Sequence, residues 1–325
     1  MQRRSLLAVP ALGLAAGAVP RGAGAQGTNQ AHPALAIYTA GQGSPFVTYG
    51  NAIAALLSRQ GITATVEAST GSLQNLTAVE DHANALGTAF LGSAWDAVQG
   101  TPAAGGRRHV NVRALWPMYE TSFQVAALTS SGLTGFAQLN GKRVGAGPAR
   151  GPAETFLVAA AEAAGIRVEI VSGSPAEMTQ GLLGGGMDAL WQGAIVPIPS
   201  ILEALARAPG VVFGPGAEVV GRVTQRLPML APTTLPPGTY PGQTAPIESF
   251  AAWNFIVANR ALPEETAYAI TRAVLTVADP ARDIGQVAAT TRKEAAANNR
   301  VLPFHPGAAR FYREAGVALN APQPA

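Results

Sequence analysis

Two stretches of this chain, residues 34–46 and 141–152, repeat one pattern: a short apolar strand, a glycine-rich turn with proline, and then a helix. The segments that follow repeat in the same order, because Gly41 and Gly147 are 106 residues apart and Ser72 and Ser174 are 102 residues apart. Matching order at a nearly constant spacing predicts two α/β lobes, each with β-α-β-α-β order and a mostly parallel sheet.

Hydrophobic spacing and capping residues place the elements of both lobes. In the first lobe we predict alternating strands and helices at residues 35–39, 45–60, 63–68, 72–82 and 86–91. In the second lobe we predict the same alternation at residues 143–146, 153–164, 168–171, 174–183 and 188–191. Gly61 and Gly165 are predicted to end the first helix of each lobe, and Ser72 and Ser174 to cap the second.

The remaining segments are predicted to connect and close the lobes. Strands at 122–128 and 249–257 cross between them and return the C-terminal third to the first lobe. Helices are predicted at 264–278, 281–298 and 308–314, and the proline-rich residues 228–246 are predicted to form a long ordered loop. This predicts that lobe 1 comprises residues 33–124 and 226–325, and lobe 2 residues 125–225.

Residues 1–25 have the pattern of an export signal. Arg3 and Arg4 precede an uncharged apolar run at 6–19, and small residues around Ala25 suit a signal peptidase. We predict cleavage near Ala25 and a periplasmic location. General secretion is favoured over twin-arginine export, which the two arginines also resemble.

The overall charge of +3 comes from this signal, since it holds three arginines and no acidic residue, and the remainder has 19 basic and 19 acidic residues. A neutral mature chain gives no reason to expect nucleic acid or an anionic membrane as partner. The chain has no cysteine, which excludes disulfides, thiolate catalysis and cysteine-ligated metals.

Catalytic motifs are missing from the sequence. It has no nucleophile elbow or zinc-protease motif, and neither glycine turn completes a dinucleotide-binding fingerprint. The histidines lack ligand spacing; they are His32, His82, His109 and His305. We therefore predict a protein that is not an enzyme and that carries no metal or other cofactor.

The glycine turns have a physical use as anion sites. A helix N-terminus presents unpaired N–H groups with a partial positive charge, and glycine lets a ligand approach them. One such turn usually only reverses the chain, so the prediction depends on three turns at equivalent strand ends. The predicted ligand contacts from the first lobe are Gly41, Gly43, Ser44, Phe46, Tyr49, Thr70, Gly71 and Ser72.

Arg150 is the sharpest single candidate, because a guanidinium can pair a carboxylate through two hydrogen bonds. The alternative is a surface arginine on a loop. Several aromatic residues lie near strand ends or turns, and each is more often a packing residue than a ligand wall. Of these we keep Tyr49 and Trp191 as ligand contacts and assign Trp116 and Tyr119 to packing.

Five short motifs give the chain a family resemblance over its whole mature length. They are the glycine-rich opening at 41–50, T-G-S-L-Q-N-L at 70–76, L-N-G-K-R-V at 139–144, G-T-Y-P-G-Q at 238–243 and F-H-P-G-A at 304–308. The sequence thereby resembles the TAXI solute-binding proteins of TRAP (tripartite ATP-independent periplasmic) transporters. The 238–243 and 304–308 motifs are the specific ones.

The resemblance implies a two-lobed fold of the periplasmic-binding-protein type II kind, with the ligand cleft between the lobes. It implies a monomeric receptor that closes on a small organic anion, a carboxylate or amino acid, and delivers it to TRAP permease subunits. It also implies structural rather than catalytic roles for Tyr240 and His305.

Two departures from the family pattern bear on the ligand. Residues 90–93 read F-L-G-S where the family has polar side chains, and residues 150–152 read R-G-P where it has Ser-Gly-Thr. The hypothesis is an apolar or aromatic carboxylate, with Arg150 on the acid and Phe90 toward the body of the ligand.

Three other functions stay open at this point. The same scaffold could serve an enzyme, a sensory receptor without transport, or the binding protein of an ATP-driven or tricarboxylate-type importer.

Overall fold

A single ten-stranded sheet organises the computed structural model, which describes residues 32–149 and 151–320. The strands are β1 Leu35–Tyr38, β2 Ala64–Glu67, β3 Ala85–Phe90, β4 Val112–Leu128, β5 Arg143–Gly145, β6 Glu169–Val171, β7 Ala189–Ala194, β8 Gly210–Phe213, β9 Leu230–Leu235 and β10 Ile247–Asn259. The helices are α1 Pro45–Arg59, α2 Ser72–Asp81, α3 Leu91–Gln99, α4 Pro152–Ala164, α5 Pro175–Leu183, α6 Pro199–Arg207, α7 Ala217–Arg226, α8 Glu264–Leu275, α9 Pro280–Asp283 and α10 Pro306–Glu314. The predicted signal at 1–25 lies outside the described residues.

The sheet has two parallel ends joined by two long antiparallel strands. Its order is β2-β1-β3-β10-β4-β7-β5-β6, with β8 beside β4 and β9 beside β10. At one end β1 pairs in parallel with β2 and β3, and at the other β5 pairs in parallel with β6 and β7. Parallel neighbours need a crossover connection, and α1, α2, α4 and α5 supply it. The β-α-β-α-β order predicted for each half is therefore confirmed.

The two long strands run through the middle of the sheet. The first part of β4 pairs with β10, and its last part pairs with β7 and β8. All six residues of β3 are buried, as are 12 of the 13 residues of β10. Central strands covered on both faces by helices have continuous apolar sequences, which is why these segments lack alternation.

Helix ends follow local chemistry at most positions. Gly61 and Gly165 follow α1 and α4 with φ of 75° and 68°, as predicted for residues at helix C-termini. Ser174 forms a capping box with Glu177 at the start of α5. The prediction for Ser72 was wrong, because Gly71 is the N-cap of α2 and the Ser72 hydroxyl instead accepts a hydrogen bond from the Phe90 N–H at 3.0 Å.

Two predicted segments differ in the structure. Residues 281–298 do not form one helix: α9 ends at Asp283, Gly285 has a φ of 152°, and short 3-10 turns follow. Residues 228–246 are not all loop, because they contain β9. Pro232 lies inside β9, which a proline tolerates because β9 pairs only with β10. Helices α3, α6 and α7 and strand β8 were missed.

A pair of glycines on helices gives opposite predictions for the same substitution. A Cβ on Gly307 in α10 would overlap the backbone carbonyl of Glu264 and lie 2.7 Å from the Tyr268 nitrogen. A Cβ on Gly221 in α7 would meet nothing within 4 Å. We expect Gly307→Ala to lower the free energy of unfolding by about 1–3 kcal/mol through overpacking. Gly221→Ala should raise it by about 0.5–1 kcal/mol.

Urea denaturation of the two variants checks this prediction. Changes of the same sign in both would contradict the close packing of α10 on α8.

Candidate functional site

A cavity of about 930 Å³ lies between the two parallel ends of the sheet. The first glycine turn and α1 contribute Gly43, Pro45 and Thr48, and the second turn contributes Gly147 and Pro148. Each turn follows a strand in one of the two parallel ends of the sheet and precedes a helix. The structure thus brings both repeated turns to one cavity, at the strand ends where open α/β sheets bind ligands.

The first turn presents Gly43 to this space, whereas the predicted contacts Gly41, Ser44, Phe46 and Tyr49 are not part of the described lining. Gly41 and Gly43 are exposed, and Gly43 has a φ of 83°, which favours glycine. Ser44 caps α1, since its hydroxyl accepts a hydrogen bond from the Phe46 N–H at 3.2 Å. The half-buried Phe46 ring packs on Tyr119 with 6.3 Å between ring centroids.

Tyr49 is fully buried one turn into α1. Its hydroxyl lies 2.9 Å from the Thr291 hydroxyl and accepts a hydrogen bond from the Trp116 indole at 3.2 Å. Burial raises the pKa of Tyr49 above its usual range, so the phenol stays neutral. In this structure the Tyr49 side chain is part of the core, and its predicted ligand contact stays a prediction.

The second turn contributes a glycine and a proline, Gly147 and Pro148, to the cavity lining. Gly147 has a φ of 72°, and the Gly151 N–H donates to the Pro148 carbonyl at 3.0 Å. Helix α4 begins at Pro152, and no side chain caps it. Arg150 lies outside the described residues, so its predicted ligand role is untested.

Trp191 is buried in β7 behind this turn. Its indole N–H donates to the Ala153 carbonyl at 2.9 Å, and its ring stacks on Phe123 at 5.7 Å. The side chain therefore supports the start of α4 from within the core.

In the third predicted turn, at residues 69–72, polar groups form hydrogen bonds with nearby residues of the same segment. The Thr70 N–H and hydroxyl both donate to the Gln74 amide oxygen, and the Gly71 N–H donates to the Ser69 hydroxyl. Phe90 is 8% exposed and packs on Phe156 at 6.1 Å. None of Thr70, Gly71, Ser72, Phe90 and Trp191 belongs to the lining of the cavity.

The segment from β7 to α6 forms one wall of the cavity, and the sequence did not predict this role for it. Gln192 and Ser200 both line the cavity, and the Ser200 hydroxyl donates to the Gln192 amide oxygen. The Ile198 N–H donates to the Tyr240 hydroxyl at 3.0 Å, and that hydroxyl donates to Gln124 at 3.1 Å. The structure thus gives Tyr240 the structural role that the family resemblance implies. The proline-rich run at 197–199 was the available signal.

The electrostatics of the lining come mainly from backbone. Among its described side chains the charged one is Glu203, which pairs with Arg207 at 3.3 Å on the exposed surface of α6. Helices α1, α4 and α6 all begin at the cavity, and no side chain caps α4 or α6. Their free N–H groups give this space a partial positive character.

The described residues form neither a metal cluster nor a membrane-spanning helix. Within 32–149 and 151–320 no cluster of three or more His, Asp or Glu residues could hold a metal ion. The helices of this described part are too short or too polar to cross a bilayer.

Comparisons with known proteins agree with this architecture. The profile of the NMT1-like family matches residues 37–316. A TctC solute-binding protein from Polaromonas, solved without ligand, superposes with a TM-score of 0.54 at 12% identity, over 76% of this chain and 84% of that one. MatC from Rhodopseudomonas palustris with bound malate gives 0.48 at 16% identity, over 78% and 88%. The predicted α/β fold of a two-lobed solute-binding protein is confirmed by the likeness to the Polaromonas protein.

Proposed function

This chain belongs to the NMT1-like family, and from that membership we propose that it is a periplasmic receptor for a small organic anion. The observation that carries the proposal is the cavity shared by the two repeated glycine turns. We propose that it delivers its ligand to a TRAP permease, in the manner of the TAXI proteins whose motifs it resembles.

The backbone at the cavity supports an anionic ligand. Uncapped N–H groups at the starts of α4 and α6 can hold a carboxylate without a full protein charge. Arg150, two residues before α4, is proposed to pair with the same acid. The described lining adds hydroxyl and amide groups and only Glu203 as a charge, which favours a ligand with one acidic group.

Closure of two lobes is proposed to trap the ligand. The long strands β4 and β10 cross from one parallel end of the sheet to the other, so a small change of twist in them would move the ends. The division at 33–124 with 226–325 against 125–225 belongs to this proposal. A binding role is favoured over catalysis because the Polaromonas neighbour is a solute-binding protein.

A thermal-shift screen tests the binding role. We expect one or more organic acids at about 100 times their Kd to stabilise the protein by about 2.7 kcal/mol, which raises Tm by roughly 4 °C for a mature chain of about 300 residues. Sodium chloride at the same ionic strength is the control. A flat response to carboxylates and amino acids alike would count against an organic-anion receptor.

The second candidate is the receptor of a tricarboxylate-type system, because the Polaromonas neighbour is a TctC protein. Reconstitution with a TRAP permease and, separately, with a tricarboxylate-type permease distinguishes the two candidates. Uptake through a TRAP permease supports our proposal, and uptake through a tricarboxylate-type permease supports the second.

A further inference from the structure

Tyr119 carries a hydroxyl group for which the described residues supply no hydrogen-bond partner. The side chain is 5% exposed and lines the cavity, and no residue in 32–149 or 151–320 forms a hydrogen bond with its hydroxyl. In that part of the chain, the buried side-chain atoms without partner or solvent contact are Thr271 Oγ1 and His305 Nε2. The Tyr119 hydroxyl is not among these atoms, so it is in contact with solvent. Because Tyr119 lines the cavity, a ligand in the cavity can supply the missing partner.

A β-bulge positions this side chain. The pairing of β4 with β10 slips between Trp253, which faces Glu120, and Phe255, which faces Pro117. Asn254 occupies the slip, and its amide donates to the Tyr119 carbonyl at 3.1 Å and to the Thr121 hydroxyl at 3.0 Å. Bulges beside binding sites commonly re-aim a side chain out of the regular pleat.

Two aromatic rings from α1 fix the orientation of the phenol. Tyr119 meets Tyr49 edge-on at 6.1 Å and Phe46 at a tilt at 6.3 Å. Tyr49 is itself anchored in the core by Thr291 and Trp116. The Tyr119 side chain is therefore held in place while its one polar atom stays free, which is the arrangement of a preorganised ligand contact.

We propose that Tyr119 is a specificity-determining residue, whose hydroxyl donates a hydrogen bond to an oxygen atom of the bound organic acid. This inference rests on the proposed function. An organic acid supplies acceptors and the phenol supplies the donor, without adding a charge to the lining. Apolar side chains such as Ile195, Val196 and Val287 line the same cavity, so the ligand class that fits is a monocarboxylate with an apolar body.

Calorimetry on Tyr119→Phe tests the inference with benzoate, hexanoate, succinate and glutamate as probes. For the acid that wild type binds most tightly, which we expect to be benzoate or hexanoate, Kd should rise about 10-fold or more on loss of the hydroxyl. Tyr38→Phe, at the end of β1 and outside the cavity lining, is the matched control and should leave Kd unchanged.

A second readout separates ligand binding from a structural role. Because the hydroxyl has no partner in the described protein, the Tm of ligand-free Tyr119→Phe should equal that of wild type. A lowered Tm with an unchanged Kd would overturn the inference and leave the receptor function intact. If no acid binds wild type, the proposed function fails and this inference fails with it.

Discussion

Replacing Asn75 by aspartate is expected to lower the free energy of unfolding by about 3–5 kcal/mol, the cost of an uncompensated buried charge. Asn75 is fully buried, and its amide nitrogen donates to the Thr39 carbonyl at 2.7 Å and to the Thr88 carbonyl at 2.8 Å. Its amide oxygen accepts from the Ser69 hydroxyl at 2.6 Å. One side chain thus joins β3 to the segments that follow β1 and β2.

An aspartate has nearly the same shape as asparagine, but its second oxygen replaces the amide nitrogen that donates the hydrogen bonds. The ionised carboxylate only accepts, so it would face two carbonyl oxygens with no proton between them. Urea denaturation measures the loss, and circular dichroism reports whether the variant folds.

The adjacent amide supplies the control for this experiment. Gln74 is exposed, and its amide oxygen accepts from the Thr70 N–H at 2.7 Å and from the Thr70 hydroxyl at 3.0 Å. A glutamate keeps both acceptor bonds and places a negative charge in the first turn of α2. We expect Gln74→Glu to change stability by less than about 0.5 kcal/mol. Equal losses in the two variants would show that Asn75 does not act through its donors.

The β-α-β-α-β order of each half was predictable because local chemistry decides it. Gly61 and Gly165 follow α1 and α4 in conformations that favour glycine, and the apolar spacing of α1 identifies its buried face. Residues 281–298 show where this reasoning fails. Their alanine content favours a helix, but Thr291 is buried and donates to the Met118 carbonyl, 173 residues earlier. A contact at that sequence separation overrides local propensity and has no signal in the sequence.

The position of the cavity was predictable from its turns but not from the strand residues that line it. The repeated glycine turns predicted Gly43 and the neighbourhood of Gly147, and both turns line the cavity. Tyr119 was assigned to packing because aromatic residues near strand ends are more often packing residues than ligand contacts. The bulge at Tyr119 is formed with Asn254, 135 residues later, and such a register shift cannot be inferred from either strand alone.

His305 is expected to make the protein lose stability as the pH falls. It caps α10, since its Nδ1 accepts a hydrogen bond from the Gly307 N–H at 3.2 Å, and the side chain is almost fully buried. Burial is the largest influence and lowers the pKa of His305 to about 4, and the charge of Arg113 also lowers it. The backbone carbonyls of Leu262 and Arg260 act in the opposite direction and raise this pKa, but by less than burial lowers it. The folded protein therefore holds this imidazole neutral, in agreement with the structural role that the family motif implies.

The sign of the effect follows from the order in which the two states take up the proton. As the pH falls below about 6.5 the unfolded chain binds a proton at His305, whereas the folded chain binds it only near pH 4, so stability is present above this window and lost through it. The total loss of stability is about 3 kcal/mol, of which about 2 kcal/mol falls between pH 7 and pH 5.

An asparagine at position 305 retains the helix cap and cannot titrate. The difference in stability between wild type and His305→Asn, measured by urea denaturation, should therefore shift by about 2 kcal/mol in favour of the variant from pH 7 to pH 5. Parallel pH curves for wild type and His305→Asn would mean that His305 takes up its proton at the same pH in the folded and the unfolded protein.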